Sequence, residues 1–356
     1  MPEIISVSKI VLPHICPQSE LKNFARETFS GKFHDIERLL ESFDNAKIDY
    51  RNMCMPVEYF MSNKTFKQKN ELFIEMSLKY SILAIEQSLE KAGINKKEIT
   101  DLIFITSTGI STPSIDALII NKMKLNPNIN RYPVWGLGCA GGVSGIAKAN
   151  MIAKADPGAL VAVVSAELCS LTFIRDDISK SNFIATGLFS DGIASVLIKG
   201  DRNKNVNVNK FNIKIIDSQS KLYYDTLDVM GWEVLDEGFK VVFSKDIPNI
   251  VNQNVKEDIY SFLSKHNLSI SEIKNYVTHP GGLKVINAYI DALNIDPVLM
   301  NNTREVLKDF GNMSSATVLY VLDRYIENGF EEGKSLMMSL GPGFSSEMVL
   351  LEASSN

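Results

Sequence analysis

Cysteine is scarce: there are four, Cys16, Cys54, Cys139 and Cys169, with no closely spaced pair. That excludes a disulfide-stapled scaffold and a cysteine-rich zinc module. Histidine is equally scarce, and His14 with Cys16 lacks a second ligand pair at metal-binding spacing, so no metal is expected. Long apolar runs are missing too. The longest, around Ala159 to Val164, is broken by Ser165 and Glu167, well short of the ~20 residues of a membrane span. The opening MPEIISVSKIVLPHICPQ has no basic segment leading into an apolar one, so no signal peptide is expected and the compartment reads as cytoplasmic. Nor is there an excess of positive charge. With 37 basic and 42 acidic residues the net charge is −5, which implies no broad basic face for nucleic acid. What remains is ordinary globular material, 45% hydrophobic and 22% charged over 356 residues. That length suits about two domains or one large layered unit.

The hydrophobic pattern alternates between two periods. Glu71 to Ala92 carries Leu72, Met76, Leu83 and Leu89 at near-helical spacing and stops at Gly93, a good helix-ending residue. Asp101 to Thr106 (DLIFIT) reads as a strand, the turn STGISTPS follows, and a second helix starts at Ile115. The apolar run Val134 to Leu137 leads into a helix from Ala140 to Ala155, the turn Asp156-Pro157-Gly158, and buried strands at Leu160 to Ser165 and Ile193 to Ile198. The polar stretch Gly200 to Lys210 divides the chain, giving an N-terminal half of 1–205 and a C-terminal half of 206–356. Beyond it come a helix over Ile247 to Asn267, a strand at Asn275 to Thr278 and a helix over Lys284 to Leu293. Strands at Leu336 to Leu340 and Glu347 to Leu351 flank the turn Gly341-Pro342-Gly343. Strand–helix alternation predicts a layered α/β fold. The halves show a weak likeness: GCAGG at Gly138 and GNMSSA at Gly311 each open a helix of small and apolar residues. Two similar halves meeting face to face would bring these helix starts together.

Cys139, between glycine and alanine at a helix start, is the most informative residue. Free N–H groups and the positive end of the helix dipole favour a thiolate, and a thiolate is the nucleophile. The same loop offers a rival: Gly136, Gly138 and Gly141 satisfy the dinucleotide-binding spacing, and Glu167 follows the next strand. A nicotinamide-dependent oxidoreductase therefore stays open at this point. His34 and His266 lie in polar helical surroundings and read as solvated. His279 differs, standing at a strand end before Pro280-Gly281-Gly282, where it can take or give a proton. Asn312 heads an apolar helix; its amide can serve as an N-cap or stabilise an oxyanion. Cysteine, histidine and asparagine on three loop–helix junctions make a coherent acyl-transfer set.

Seven segments in order, STGISTPSIDA, WGLGCAGG, SAELCSLTF, GLFSDG, HPGG, GNMSSAT and LGPGFSSE, resemble the chalcone synthase-like family, the type III polyketide synthases, across nearly the whole chain. The likeness is greatest to bacterial alkylpyrone synthases. The resemblance implies a thiolase fold, five-layered αβαβα with two pseudo-duplicated halves, and a homodimer. It implies the triad Cys139, His279 and Asn312. Cys139 would hold a starter taken from acyl-CoA, and His279 and Asn312 would stabilise the enolate left when malonyl-CoA loses CO2. It further implies an aromatic gate at Phe189. The second gate position, reached through Lys245-Asp246, falls at Val241, whose smaller side chain implies a wider passage for a long starter. Cys169, Thr172 and Ser314 fall on cavity-lining positions, and Gly341, Pro342 and Gly343 on the loop shaping the cyclisation pocket. Lys47 and Arg51 lie where the family draws cations for CoA. No cofactor is implied beyond the CoA thioester substrates. A ketoacyl-carrier-protein synthase III-like enzyme, which condenses once, shares the three catalytic residue types.

Overall fold

A computed structural model describes residues 1–205, 210–244 and 247–355; part of the polar divider (206–209) and the Lys245-Asp246 anchor lie outside the described residues. Strands are β1 (Glu3–Ile10), β2 (His14–Pro17), β3 (Tyr50–Met53), β4 (Asp101–Thr106), β5 (Asn130–Trp135), β6 (Leu160–Leu168) and β7 (Asp191–Lys199). The later ones are β8 (Phe211–Leu222), β9 (Met230–Leu235), β10 (Gly238–Phe243), β11 (Ile273–Thr278), β12 (Gly333–Gly341) and β13 (Ser345–Ser355). One nine-stranded sheet runs β11-β12-β13-β8-β1-β7-β6-β4-β5, while β2 with β3 and β9 with β10 form separate ribbons.

The halves repeat. β4 and β6 are parallel, and β6–β7 and β7–β1 are antiparallel. In the same order β11 and β12 are parallel, and β12–β13 and β13–β8 are antiparallel. The two four-strand sets meet at β1 and β8 through just Glu3↔Lys214 and Ile4↔Ile213. This weak seam lets the half-sheets diverge and sandwich a central pair of helices, Gly141–Ala155 and Thr317–Asn328.

Period-two alternation sorts the core into layers. Along β4, Leu102 and Phe104 face outward with the helix Phe66–Ala92, whereas Ile103 and Ile105 face inward to the central helices. In the second half Leu336 and Met338 pack outward with Phe262 and Ile286, while Met337 joins the centre. Helix, half-sheet, helix pair, half-sheet, helix: this is the αβαβα layering expected.

Several elements depart from expectation. The long helix begins at Phe66, where Thr65 and Gln68 form a capping box, and ends at Gly93 with φ +66°. Its buried stripe is Phe73, Ser77, Tyr80, Ser81, Ala84, Ile85 and Ser88, whereas Leu83 is 40% exposed. Small residues let the helix approach the sheet closely enough for Ser8 Oγ to donate to Ala84 O at 2.6 Å and Ser88 to meet Ser195 at 3.0 Å. Leu89 is buried as its spacing suggested and Leu72 and Met76 pack against the core; hydrogen bonding supplements that packing, and only Leu83 departs from the expected stripe. The helix expected over Ile247 to Asn267 is broken by a wider turn at Val251–Val255. His266 is not merely solvated: Nε2 lies 3.0 Å from Asp217 and its ring packs edge-on against Phe262. Among the described residues, no helix is long and apolar enough to cross a membrane.

Candidate active site

β5 delivers the chain to a turn in which Gly136 and Gly138 adopt φ of +88° and +47°. Gly138–Ala140 form one tight turn and the helix Gly141–Ala155 follows. Glycine is required at 138 twice over: a Cβ there would lie 2.6 Å from Pro342 Cδ, in a left-handed conformation. The Gly138 N–H donates to Ser107 Oγ at 2.9 Å, and Ser107 Oγ in turn donates to Glu167. That carboxylate also takes the Ser107 N–H (2.9 Å) and the Thr108 hydroxyl (2.9 Å), and it accepts from Ser315. Glu167 is thus fully engaged behind the nucleophile turn.

Asn312 sits across from Cys139 because its main chain is laced to the end of the helix Lys180–Leu188. Its N–H donates to Leu188 O at 3.0 Å, and the Ser190 N–H donates to Asn312 O at 2.8 Å. Its side chain accepts from Ser314 N–H (2.9 Å) and donates to Gly281 O (3.3 Å). The Ser314 and Asn312 side chains lie near enough to the Cys139 thiol to lower its pKa. His279 directly follows β11, and its loop is tied to Asn312 through the same Gly281, whose N–H donates to His279 O at 3.0 Å. The three expected residues therefore lie on adjoining segments, all buried.

Burial outweighs the helix start. It pushes the Cys139 thiol up to about 12, with Ser314 and Asn312 opposing and Glu167 adding to the rise. It pushes the His279 imidazole down to about 3, and neither ring nitrogen has a hydrogen-bond partner among the described residues. Desolvation thus opposes the helix dipole at Cys139 and favours the uncharged form of each group taken alone. A proton passed from sulfur to imidazole would create an ion pair whose members stabilise each other in a dry pocket.

A cavity of about 50 Å³ is lined by Cys169, Thr172, Phe189 and Val241 together with Leu21, Phe24, Met53, Phe60 and Phe173. Cys169 lies within electrostatic reach of Cys139, which joins the cavity to the thiol. Thr172 Oγ1 is turned onto Cys169 O at 2.8 Å. Val241 does line the cavity, but Phe243, two residues along the same strand, packs 5.4 Å from Phe189, and Trp232 lies 6.2 Å away. An aromatic partner for Phe189 persists, displaced by one strand repeat, so the passage is not simply widened. Gly341, Pro342 and Gly343 link β12 to β13, with Pro342 against Gly138.

Of the two cations offered for CoA, Lys47 is exposed in a turn with φ +56°. Arg51 is not: it is 2% exposed and turned inward, with Nη1 donating to Thr186 O (2.5 Å) and Phe189 O (2.8 Å). Burial pushes its guanidinium down to about 10, still charged at neutral pH. The correction has a simple cause. β3 runs against residues 189–191, and Arg51, Asn52 and Met53 are all buried beneath that segment. Sequence reasoning also missed Phe243, Trp232 and the Ser107–Glu167 network; the TST run at Thr106 was the one available signal for the network.

With the geometry in place, known proteins supply the context. The N-terminal domain of chalcone and stilbene synthases matches residues 3–202 and the C-terminal domain residues 215–355. The chain belongs to this family, the type III polyketide synthases. It is 43% identical over 355 residues, 98% of this chain and 97% of the other, to a Bacillus subtilis protein provisionally called a chalcone synthase. It is 30% identical over 350 residues, 98% of this chain and 92% of the other, to the 1,3,6,8-tetrahydroxynaphthalene synthase of Streptomyces peucetius. The crystal structure of the Streptomyces coelicolor tetrahydroxynaphthalene synthase superposes with a TM-score of 0.93 at 25% identity, covering 99% of this chain and 100% of that one. The fold is the thiolase fold, and the protein is a type III polyketide synthase, a condensing enzyme. The dinucleotide reading fails on packing. Gly136 is open, but added Cβ atoms at Gly138 and Gly141 would meet Pro342 and Ile105, so two of the three fingerprint glycines are covered by protein, and Glu167 is sequestered.

Proposed function

We propose that this type III polyketide synthase loads a long-chain fatty acyl group from its CoA thioester onto Cys139 and extends it with malonyl-CoA. The products would be alkylpyrones or alkylresorcinols. The observation that carries the reading is the apolar part of the lining that Leu21, Phe24, Phe60 and Phe173 give to the cavity reached by Cys169 and Phe189, which offers methylene chains a dry environment.

In the first step Cys139 gives its proton to His279 and the sulfur attacks the thioester carbonyl, expelling CoA thiolate, which recovers the proton. In the second step the C–C bond to the malonyl carboxylate breaks, and the electron pair remains as an enolate on the thioester oxygen. His279 and the Asn312 amide lower the energy of that oxyanion. The carbanion then attacks the Cys139-bound acyl carbon, the sulfur leaves, and the chain has grown by two carbons. No metal or redox cofactor takes part in this scheme.

We further propose a cytoplasmic homodimer built on the exposed edge strand β5, where Tyr132 and Trp135 lie open. Lys47 is the remaining candidate for a CoA phosphate. Mass spectrometry of products from a panel of acyl-CoA starters with malonyl-CoA tests the function. Triketide and tetraketide products of starters of about ten carbons or more are expected, from the apolar area the wall can bury. Products from malonyl-CoA alone would overturn the starter assignment. Val241→Phe should penalise the longest starters severalfold, about 1 kcal/mol of steric cost; an unchanged chain-length profile would remove position 241 from the argument.

A further inference from the structure

Arg51 is a buried cation with no carboxylate within ion-pairing distance among the described residues. Such a charge is costly unless its surroundings need it. Its Nη1 bridges Thr186 O and Phe189 O, carbonyls that close the helix Lys180–Leu188, where the helix dipole is negative. The neighbouring residues of β3 grip the same segment. The Asn52 N–H donates to Ser190 Oγ at 2.9 Å, Ser190 Oγ donates to Asn52 O at 2.8 Å, and the Cys54 N–H donates to Asp191 at 2.7 Å. The gripped segment is the one whose main chain brackets Asn312 on both sides, through Leu188 O and the Ser190 N–H. Gly311 leaves room for the strut: a Cβ there would lie 3.0 Å from Arg51 Cγ.

We propose that Arg51 is a positioning residue that fixes the Leu188–Ser190 segment, and through it both the Asn312 amide and the Phe189 ring. The arrangement follows from connectivity. Asn312 can hold its amide toward an oxyanion only while its main chain is anchored, and the anchor is a helix end that Arg51 pulls onto β3. Cys139 lies on a separate turn, held by Ser107 and Pro342, so its loading does not depend on Arg51. The inference rests on the reading of Asn312 as an enolate stabiliser.

The test separates the half-reactions. Acyl transfer to Cys139 is read by intact mass, and malonyl-CoA decarboxylation by CO2 release, in Arg51→Gln, Arg51→Lys, Asn312→Ala and the double variant. Arg51→Gln should lower decarboxylation by about tenfold or more, the scale of a sub-ångström misplacement, and leave loading within about twofold. Lysine should restore part of the loss, since one ammonium can reach both carbonyls. In the Asn312→Ala background the Arg51→Gln effect should shrink to about twofold or less, because the residue it positions is gone. Equal losses of loading and decarboxylation, or the same loss in both backgrounds, would overturn the proposal. If Asn312→Ala leaves decarboxylation intact, the enolate role itself fails, and Arg51 is then read through Phe189. Arg51→Gln must shift the chain-length profile of starter use as Phe189→Ala does, and an unchanged profile rejects it. Should Arg51→Gln not fold, the lysine variant carries the same comparison at smaller amplitude.

Discussion

Two tight turns face each other at the centre of the molecule, Gly138–Ala140 ahead of one central helix and Ser314–Ala316 ahead of the other. Their first residues share a left-handed backbone, φ +47° at Gly138 and +49° at Ser314, so Cys139 and Ser315 occupy equivalent places in the two halves. The side chains do different work. Ser315 is pinned between Glu167 and Ser165, whereas the Cys139 sulfur faces Asn312 and Ser314. The first positions differ as well. Gly138 is crowded by Pro342 and admits no side chain, while Ser314 keeps its hydroxyl at an energetic cost of about 1 kcal/mol or more. Duplication supplied one backbone device twice; one copy became the nucleophile's seat and the other a support beneath it.

Breaking the equivalence at its centre should have the largest effect. Cys139→Ala is expected to abolish the acyl adduct and to lower product formation by about three orders of magnitude or more, whereas Ser315→Ala should retain the adduct. Intact mass and product yield decide it; an adduct on the Cys139→Ala protein would refute the assignment. Next, Gly138→Ala should destabilise the fold by about 3 kcal/mol through combined clash and left-handed strain, read from urea midpoints. A midpoint near that of the parent would mean that Pro342 yields easily.

A pH series sharpens the comparison further. His279, depressed to about 3 from its ordinary 6.5, contributes stability that is present above pH 6.5 and is lost as pH falls toward 3, because the unfolded chain takes up the proton first. That amounts to about 2 kcal/mol between pH 7 and pH 5. His279→Gln should flatten this acid limb, and a limb of unchanged slope would show that other groups set it. The smallest effect is expected at the second turn. Ser314→Gly should relieve backbone strain and raise stability by at most about 1 kcal/mol, while loosening the thiol's hydrogen bonding. A loss of stability there would mean that the serine hydroxyl holds the turn.

Legibility followed locality. β4 has the bounds its apolar run suggested, and Gly93 ends the long helix as its permissive backbone implies. The glycine-flanked Cys139, the His279 turn and Asn312 stood out because each sits at a strand or helix terminus with a distinctive neighbourhood. The buried face of the long helix was read only in part: Leu89 is in the core, but Leu83 is exposed, and the serines and alanine at the sheet contact carry no hydrophobic signal. Arg51 was misread because a charge is expected outside unless a distant partner, here the carbonyls of residues 186 and 189, is known. Phe243 escaped notice because the alternation placing it beside Phe189 belongs to a ribbon whose pairing is not visible in one strand.

Sequence alone determined the layered α/β class, the family likeness and the three residue types of the candidate site. These depend on local periodicity and on short motifs that any folded context must respect. Tertiary structure decided which protonation states burial allows for Cys139 and His279, which aromatic ring meets Phe189, and which way Arg51 points. Each of these is set by the desolvation and close packing of segments that are distant in sequence.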